Sequence, residues 1–293
     1  MVKSSPLFFA PVALIVASAI AAGCAASRAT EPSTAVFLLS DVTLPAADAS
    51  GRAVGIDLDG TNSDGSDAST CATRRADDAS LYDSEERGID NAWGALLGMS
   101  MTPSAAAAVR EEIADGTLAV AFRVSALDSL DTDDTVSVEL GVARVPGCVA
   151  TSPASCAPRM DGGELTAWQS VVFVPMGAPV TMQIVEGRLR GALGAFALPV
   201  LVFNLTGAEF DVALHGAQID AAIGDDELHG ALGGAVRIDE LAASAAMLPD
   251  GDTGAIRDAL QPYADLEPSA SDRSICDAVS VGFAFASVRV SAE

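Results

Sequence analysis

The sequence predicts a mainly β protein, built as an antiparallel, sandwich-like domain with a few short helices. Several segments alternate apolar and polar residues, which is the pattern of half-buried strands. The helical patterns are few and short, so they do not supply the crossovers that a parallel sheet requires. Half of the 293 residues are hydrophobic, too many for a disordered chain and enough for one core. We expect a single β-rich domain over residues 51–293.

The N-terminus predicts a lipoprotein signal peptide over residues 1–23. Lys3 precedes an apolar run over 6–20, which has the length of a signal core and is short for a membrane-spanning helix. The run ends in Ala-Ala-Gly-Cys24, which resembles the lipobox of bacterial lipoproteins. The resemblance implies cleavage before Cys24 and lipid on its thiol. Because Ala25 is not Asp, it also implies the outer membrane, on the periplasmic or cell-surface face. An ordinary secretory signal with a chance cysteine is the alternative.

Residues 24–50 predict a lipidated N-terminus followed by a tether. They are mostly small and polar, and they include Pro32 and Pro45. Within them, Ala35-Val-Phe-Leu-Leu39 is an apolar run and a candidate first strand. The expected membrane contact is the lipid on Cys24.

The charge of the chain excludes one class of partner. Lys3 is the only Lys, so 15 Arg face 40 Asp and Glu after the signal peptide, a net charge of −25 with His neutral. Such a surface repels phosphate backbones, which excludes nucleic acid, and attracts divalent cations. The sequence does not identify a protein or glycan partner.

Four cysteines remain after Cys24, and an even number in an exported chain favours disulfides. Cys148 and Cys156 flank a short loop, which favours a local bridge and leaves Cys71 with Cys276. The second bridge would close a long loop and tie the N-terminal segment to the last strand, which favours stability. Spacing alone leaves all three pairings open.

The remaining elements follow from local patterns. Thr102 as N-cap, Pro103 in the first turn and Gly116 after an Ala-rich body predict a helix. Alternation predicts strands, and two further helices interrupt them. The strands are expected at 118–124, 136–142, 171–174, 180–184, 210–214, 219–223 and 279–290, and the helices near 239–247 and 253–260. In the last strand, a change of register near Ala286-Ser287 predicts a β-bulge.

The densest polar group is an Asp-rich loop with the candidate metal ligands Asp57, Asp59, Asn62, Asp64 and Asp67. Their side chains fall at nearly alternate positions, and two glycines allow tight turning. Ca²⁺ takes about six to eight oxygen ligands from a flexible loop, and the pattern resembles Asp-rich calcium loops of extracellular proteins. It lacks the twelfth-position Glu and the flanking helices of an EF-hand. The loop therefore predicts Ca²⁺ as cofactor, with a solvated acidic turn as the alternative.

The same stretch resembles the nucleophile motif of haloacid dehalogenase phosphatases, in which one Asp attacks phosphorus and another acts as acid and base. The matching residues are Asp57 and Asp59, and Asp225-Asp226 resembles the Mg²⁺-binding acidic motif of that family. The family requires a doubly wound parallel sheet, whose pattern is not seen, and normally a Lys, which the mature chain lacks. A phosphatase is therefore the second alternative.

Other functional sets are weaker, and we expect no enzyme. His215 and His229 could hold a metal with nearby Asp residues, but such residues are more often structural. The chain contains no Gly-x-Ser-x-Gly nucleophile elbow. Trp168 stands before a predicted strand and would suit a lectin, so a carbohydrate- or partner-binding module is the first alternative.

Several motifs together resemble a family of uncharacterised bacterial secreted lipoproteins. They are Gly-Ile-Asp-Leu-Asp-Gly at 55–60, Ser-Asp-Gly at 63–65, Cys71, Gly-Ile-Asp-Asn at 88–91 and the segment from Cys276 to Phe285. The resemblance implies a Cys71–Cys276 bridge and an Asp loop near the Asn91 turn, and it implies no known activity. We expect a non-catalytic, membrane-anchored lipoprotein of structural or ligand-binding role.

Overall fold

The computed structural model describes residues 33–43, 54–60, 71, 89–94, 103–116, 118–146, 160–161, 164–165, 170–198, 212–246 and 252–293. Its strands are β1 Ser33–Thr43, β2 Val120–Leu127, β3 Asp133–Arg144, β4 Met160–Asp161, β5 Glu164–Leu165, β6 Ser170–Pro175, β7 Val180–Val185, β8 Arg188–Leu198, β9 Val212–Ile223, β10 Glu227–Arg237, β11 Leu266–Pro268 and β12 Cys276–Ala292. Its helices are α1 Pro103–Asp115, α2 Ile238–Ala245 and α3 Thr253–Leu260.

Eight of these strands form a closed antiparallel barrel. Hydrogen-bonded neighbours follow the order β1-β2-β3-β7-β8-β9-β10-β12, and the pairing of β12 with β1 closes the ring. The mainly β, antiparallel class is therefore confirmed. The sandwich is wrong, because one sheet curls until its own edges pair. Register shifts in several pairings bend the strands and help this closure.

Alternate side chains of the eight strands fill the barrel. In β12, Val279, Val281, Phe283 and Phe285 belong to one apolar cluster with buried residues of the other strands. Phe285 stacks on Phe122 of β2, with ring centroids 5.2 Å apart. Eight strands enclose an interior of about the width that side chains fill, so this cluster is the main core.

A smaller core lies on the outer side of the barrel wall, where β6 crosses it. β6 pairs antiparallel with the end of β3 and parallel with the end of β12. The apolar cluster between β6 and the barrel wall comprises Val36, Leu38, Ala121, Ala143, Val171, Phe173 and Val290. β1 is consequently buried on both faces, which explains the unbroken apolar run at 35–39.

β1 corrects the predicted extent of the tether. The candidate strand at 35–39 is part of Ser33–Thr43, which pairs with both β2 and β12. The tether prediction for residues 24–50 is therefore wrong over this strand, and the β-rich domain begins before residue 51. The small polar residues on both sides of the apolar run do not follow a strand pattern, so the sequence does not indicate the full length of this strand, which closes the barrel.

The bulge predicted in β12 near Ala286-Ser287 lies in its neighbour instead. The register between β12 and β10 is continuous along the whole of β10. The shift is in β1, between Leu39 and Asp41. The apolar pattern of β12 changes because Val290 packs beneath β6 on the outer side, whereas Phe285 faces the interior.

The strands predicted at 210–214 and 219–223 are one strand, β9. Its pairing with β10 shifts register opposite Gly233 and Ala235, and Gly216 has φ +57°. This bulge allows Leu214 and Ile219 to be buried on the same side, although they differ in parity.

The three predicted helices are present, and Thr102, the predicted N-cap of the first, lies outside the described residues. α1 begins at Pro103, and Gly116 ends it with φ +76°. α2 and α3 follow β10, and Asp252 caps α3 by accepting from the Gly254 and Ala255 N–H groups. β11 then pairs with the start of β12. This pairing places Asp265 beside β12, where its N–H donates to Ala278 O at 3.0 Å.

Candidate metal centre

Two segments, 54–60 and 89–94, meet against the outer side of β12. Their contact is an antiparallel bridge between Ile56 and Asp90, in which the Asp90 N–H donates to Ile56 O at 3.0 Å. Glycine makes the approach possible, because a Cβ on Gly282 would lie only 2.8 Å from the Gly55 Cα. Backbone therefore packs directly on backbone at this point of the wall.

Three carboxylates converge where the two segments meet. Asp57, Asp59 and Asp90 each place one oxygen within 4.8 Å of the other two. Asp57 Oδ1 also accepts from the Gly60 N–H at 2.6 Å, in a turn where Gly60 has φ +75°. Asp57 and Asp59 are exposed, whereas Asp90 is only 1 % exposed. The cluster thus opens to solvent on one side and rests on a buried carboxylate on the other.

The buried carboxylate of Asp90 is satisfied at only one oxygen. Its Oδ2 accepts from the Leu58 N–H at 2.6 Å and from the Asp59 N–H at 3.4 Å. Its Oδ1 is buried without a hydrogen-bond partner. Such an oxygen is costly to bury, and native proteins normally satisfy it with a donor, a water or an ion.

Electrostatics around Asp90 favour either a proton or a cation. Burial raises the pKa of Asp90 to about 8; the Leu58 N–H opposes the shift, and the charges of Asp265, Asp59 and Asp57 increase it. Burial likewise raises the pKa of Asp57. A divalent cation would relieve the repulsion and stabilise the ionised forms.

A second buried carboxylate, Asp265, lies just before β11 and supports the cluster through Ser280 of β12. It accepts two hydrogen bonds from Ser280, one from the N–H at 2.7 Å and one from the hydroxyl. The Ser280 Oγ in turn accepts from the Ala92 N–H at 2.7 Å. Burial raises the pKa of Asp265 to about 7, against the effect of the Ser280 hydrogen bonds. This chain of contacts ties the Asp90 segment to the barrel.

Asn91 makes the second tie and also reaches the other segment. Its Nδ2 donates to Val54 O at 2.6 Å, and its Oδ1 accepts from the Gly94 N–H at 3.0 Å and the Gly282 N–H at 3.2 Å. Its side chain is fully buried. One amide therefore joins both carboxylate-bearing segments to β12.

A disulfide completes the attachment. Cys71 and Cys276 are bonded, with Cα atoms 5.3 Å apart and a sequence separation of 205. Cys276 is the first residue of β12. The bond therefore fixes the chain beyond the Asp-rich loop to the strand that carries Ser280 and Gly282. Cys148 and Cys156 lie outside the described residues, as does the predicted lipid site at Cys24.

The structure brings together two of the five predicted calcium ligands and adds one. Asp57 and Asp59 lie in the cluster, whereas the predicted ligands Asn62, Asp64 and Asp67 lie outside the described residues. Asp90 was not predicted as a ligand, although its Asn91 turn was singled out. A usable signal existed, because Gly-Ile-Asp occurs at both 55–57 and 88–90.

The residues that suggested a phosphatase are not assembled as that chemistry requires. Asp57 and Asp59 follow no strand of a parallel sheet, because the described sheet is a closed antiparallel barrel. Asp225-Asp226 forms the turn between β9 and β10. Gly233, which faces Ile56 and Leu58, lies seven residues along β10 from that turn, roughly 20 Å at strand spacing.

The two candidate histidines are not among the residues of the cluster. His215 Nε2 is 2.7 Å from Glu240 Oε2, and His229 Nδ1 is 3.8 Å from Glu227 Oε1. Each His therefore has a carboxylate neighbour of its own, consistent with a structural role. Trp168, the residue behind the lectin alternative, lies outside the described residues.

No protein-family model matches this chain, and comparisons with curated proteins and with solved structures give no match either. Within the described ranges, no helix combines the length and apolar character that crossing a membrane requires. The function is therefore inferred from the chemistry of the cluster itself.

Proposed function

We propose that this protein is a non-catalytic lipoprotein, anchored through lipid on Cys24, in which Ca²⁺ bound by Asp57, Asp59 and Asp90 holds the N-terminal segments on the barrel. One observation carries the proposal. The three carboxylates converge on one point, and the buried member of the set, Asp90, has an oxygen without a partner.

The donor chemistry favours a hard cation. All three side chains offer oxygen, and none of the cluster's members offers nitrogen or sulfur. Two oxygens that ligate one Ca²⁺ at about 2.4 Å lie at most about 4.8 Å apart, and every pair among the three carboxylates meets that limit. Asn62, Asp64 and Asp67 remain sequence-based candidates for the further oxygens that Ca²⁺ takes.

The proposed role of the ion is structural. Its ligands come from two segments that share one isolated bridge and lie 31 residues apart at Asp59 and Asp90. An ion between them would cross-link segments that otherwise depend on a few hydrogen bonds and the Cys71–Cys276 disulfide. A ligand that binds only the folded state at about 100 times its dissociation constant adds roughly 2.7 kcal/mol to the free energy of unfolding.

The anchor and location in this proposal rest on the sequence. The lipobox at Cys24 and the residue after it support an outer-membrane lipoprotein, and the charge of −25 after the signal peptide supports partners other than nucleic acid. The antiparallel barrel weighs against the phosphatase alternative. No described contact favours the lectin alternative.

Thermal unfolding of the mature protein tests the proposal. With saturating Ca²⁺ instead of EDTA, we expect the melting temperature to rise by roughly 5–10 °C, and less with Mg²⁺. The rise should vanish in Asp57→Asn and persist in Asp134→Asn, which removes one exposed carboxylate on β3. Equal melting in Ca²⁺ and EDTA would count against a calcium site.

A further inference from the structure

We infer that Asn91 is a positioning residue for the cation site, which sets the distance between Asp90 and the pair Asp57 and Asp59. The inference rests on the proposed function and extends it from the ligands to the residue that arranges them. Asn91 is adjacent to Asp90 in sequence, and through Val54 it reaches the segment that carries the other two carboxylates.

The hydrogen bonds of Asn91 require an amide. Val54 O can only accept, so the Asn91 side chain must donate to it. The N–H groups of Gly94 and Gly282 can only donate, so the same side chain must also accept. An amide supplies both functions at its two ends. These partners therefore fix which end faces which segment, and neither Asp⁻ nor Leu can replace it.

The base on which Asn91 rests is rigid. Gly282 belongs to β12 and pairs with Gly233 of β10, in a register that runs without a shift along the whole of β10. Gly282 also contacts Gly55 closely, with no room for a Cβ. Gly282 therefore contacts both ligand-bearing segments. It holds residues 89–94 through the Asn91 amide and residues 54–60 through backbone contact with Gly55.

This arrangement separates the roles of the residues. Asp57, Asp59 and Asp90 supply the negative charge and the ligand oxygens. Asn91 has no carboxylate and is not proposed as a ligand of the ion. Residues that orient metal ligands in this way typically change affinity by about tenfold to a hundredfold when they are replaced. We therefore expect Asn91 to influence cation affinity beyond its effect on folding.

The test is a Ca²⁺ titration of folded, oxidised mature protein, with the dissociation constant read directly by calorimetry. Two variants perturb positioning by different means. Asn91→Ala removes the amide, and Gly282→Ala adds a methyl against Gly55 while leaving every donor and acceptor in place. Ser287→Ala is the matched control, because Ser287 lies on the same strand and its buried hydroxyl has no hydrogen-bond partner.

We expect both variants to weaken Ca²⁺ binding at least tenfold and the control to bind within twofold of the wild type. If Asn91→Ala does not fold, Gly282→Ala decides. Variants that melt at lower temperature in EDTA yet keep the wild-type dissociation constant would make Asn91 a purely structural residue and overturn the inference. A wild type that binds no Ca²⁺ would instead overturn the proposed function.

Discussion

The Leu58 N–H donates to Asp90 Oδ2 at 2.6 Å across 32 residues of sequence. This bond fixes the orientation of the Asp90 carboxylate, so that one oxygen holds the Asp-rich segment and the other remains without a partner. A buried carboxylate that is half satisfied is unstable as an anion.

Without metal, the protein should lose stability as the pH rises. The pKa values of Asp90 and Asp265 in the folded state, about 8 and about 7, exceed the unfolded value of about 3.9. The folded state therefore binds more protons, and the contribution of these groups is complete below about pH 4 and is lost as the pH passes through 7 and 8. Melting temperatures in EDTA between pH 5 and 9 should fall, and Asp90→Asn should flatten the fall. A wild-type profile that rises over this interval would refute the prediction.

Removal of the hydroxyl group should have different effects on the free energy of unfolding at two buried serines of β12. Ser280→Ala removes the hydroxyl that donates to Asp265 and accepts from the Ala92 N–H, which should lower the free energy of unfolding by about 1–3 kcal/mol. Ser287→Ala removes a buried hydroxyl without a partner and should be neutral or stabilising by up to about 1 kcal/mol. Urea unfolding measures both, and equal losses would contradict this account of the β12 network.

Reduction of the Cys71–Cys276 disulfide should weaken Ca²⁺ binding. The bond holds the chain beyond Gly60 against β12, so its loss allows the Asp57 segment to sample detached states. By linkage, Ca²⁺ should favour the oxidised form of the bridge by the same coupling free energy. Dissociation constants of the oxidised protein and of the Cys71→Ser, Cys276→Ser double variant provide the comparison. Identical values would mean that the bridge and the ion act independently.

Lipid attachment should depend on one thiol. In a bacterial host, the wild type should incorporate a palmitate analogue and fractionate with membranes, and Cys24→Ala should do neither. Mass spectrometry of the mature N-terminus serves as the control, since cleavage before Cys24 is expected in the wild type. Cleavage elsewhere, with no lipid, would support an ordinary secretory signal.

The sequence alone predicted those elements in which buried residues recur at the regular spacing of a strand or a helix. The alternation in β12 and β3 and the Pro103 and Gly116 signals of α1 lie in the sequence itself. Closure of the barrel is not local, because it requires β1 near the N-terminus to pair with β12 at the C-terminus. An apolar strand face has the same pattern whether it meets a second sheet or the curled remainder of its own sheet.

The site was predictable only within one segment. Asp57 and Asp59 stand out because they are two residues apart, whereas Asp90 joins them through a bridge to Ile56 that no local pattern specifies. Asn91 and Ser280 are ordinary polar residues in sequence. Their roles emerge only when β12 brings Gly282 and Asp265 beside them.

The most direct test is the number of Ca²⁺ ions bound by the mature protein at equilibrium, measured by dialysis for the wild type, Asp90→Asn and Asp134→Asn. The proposed site predicts that the wild type and Asp134→Asn hold a Ca²⁺ ion in preference to Mg²⁺ and that Asp90→Asn binds it at least tenfold more weakly. Undiminished binding in Asp90→Asn, or no bound Ca²⁺ in the wild type at millimolar concentration, would contradict it.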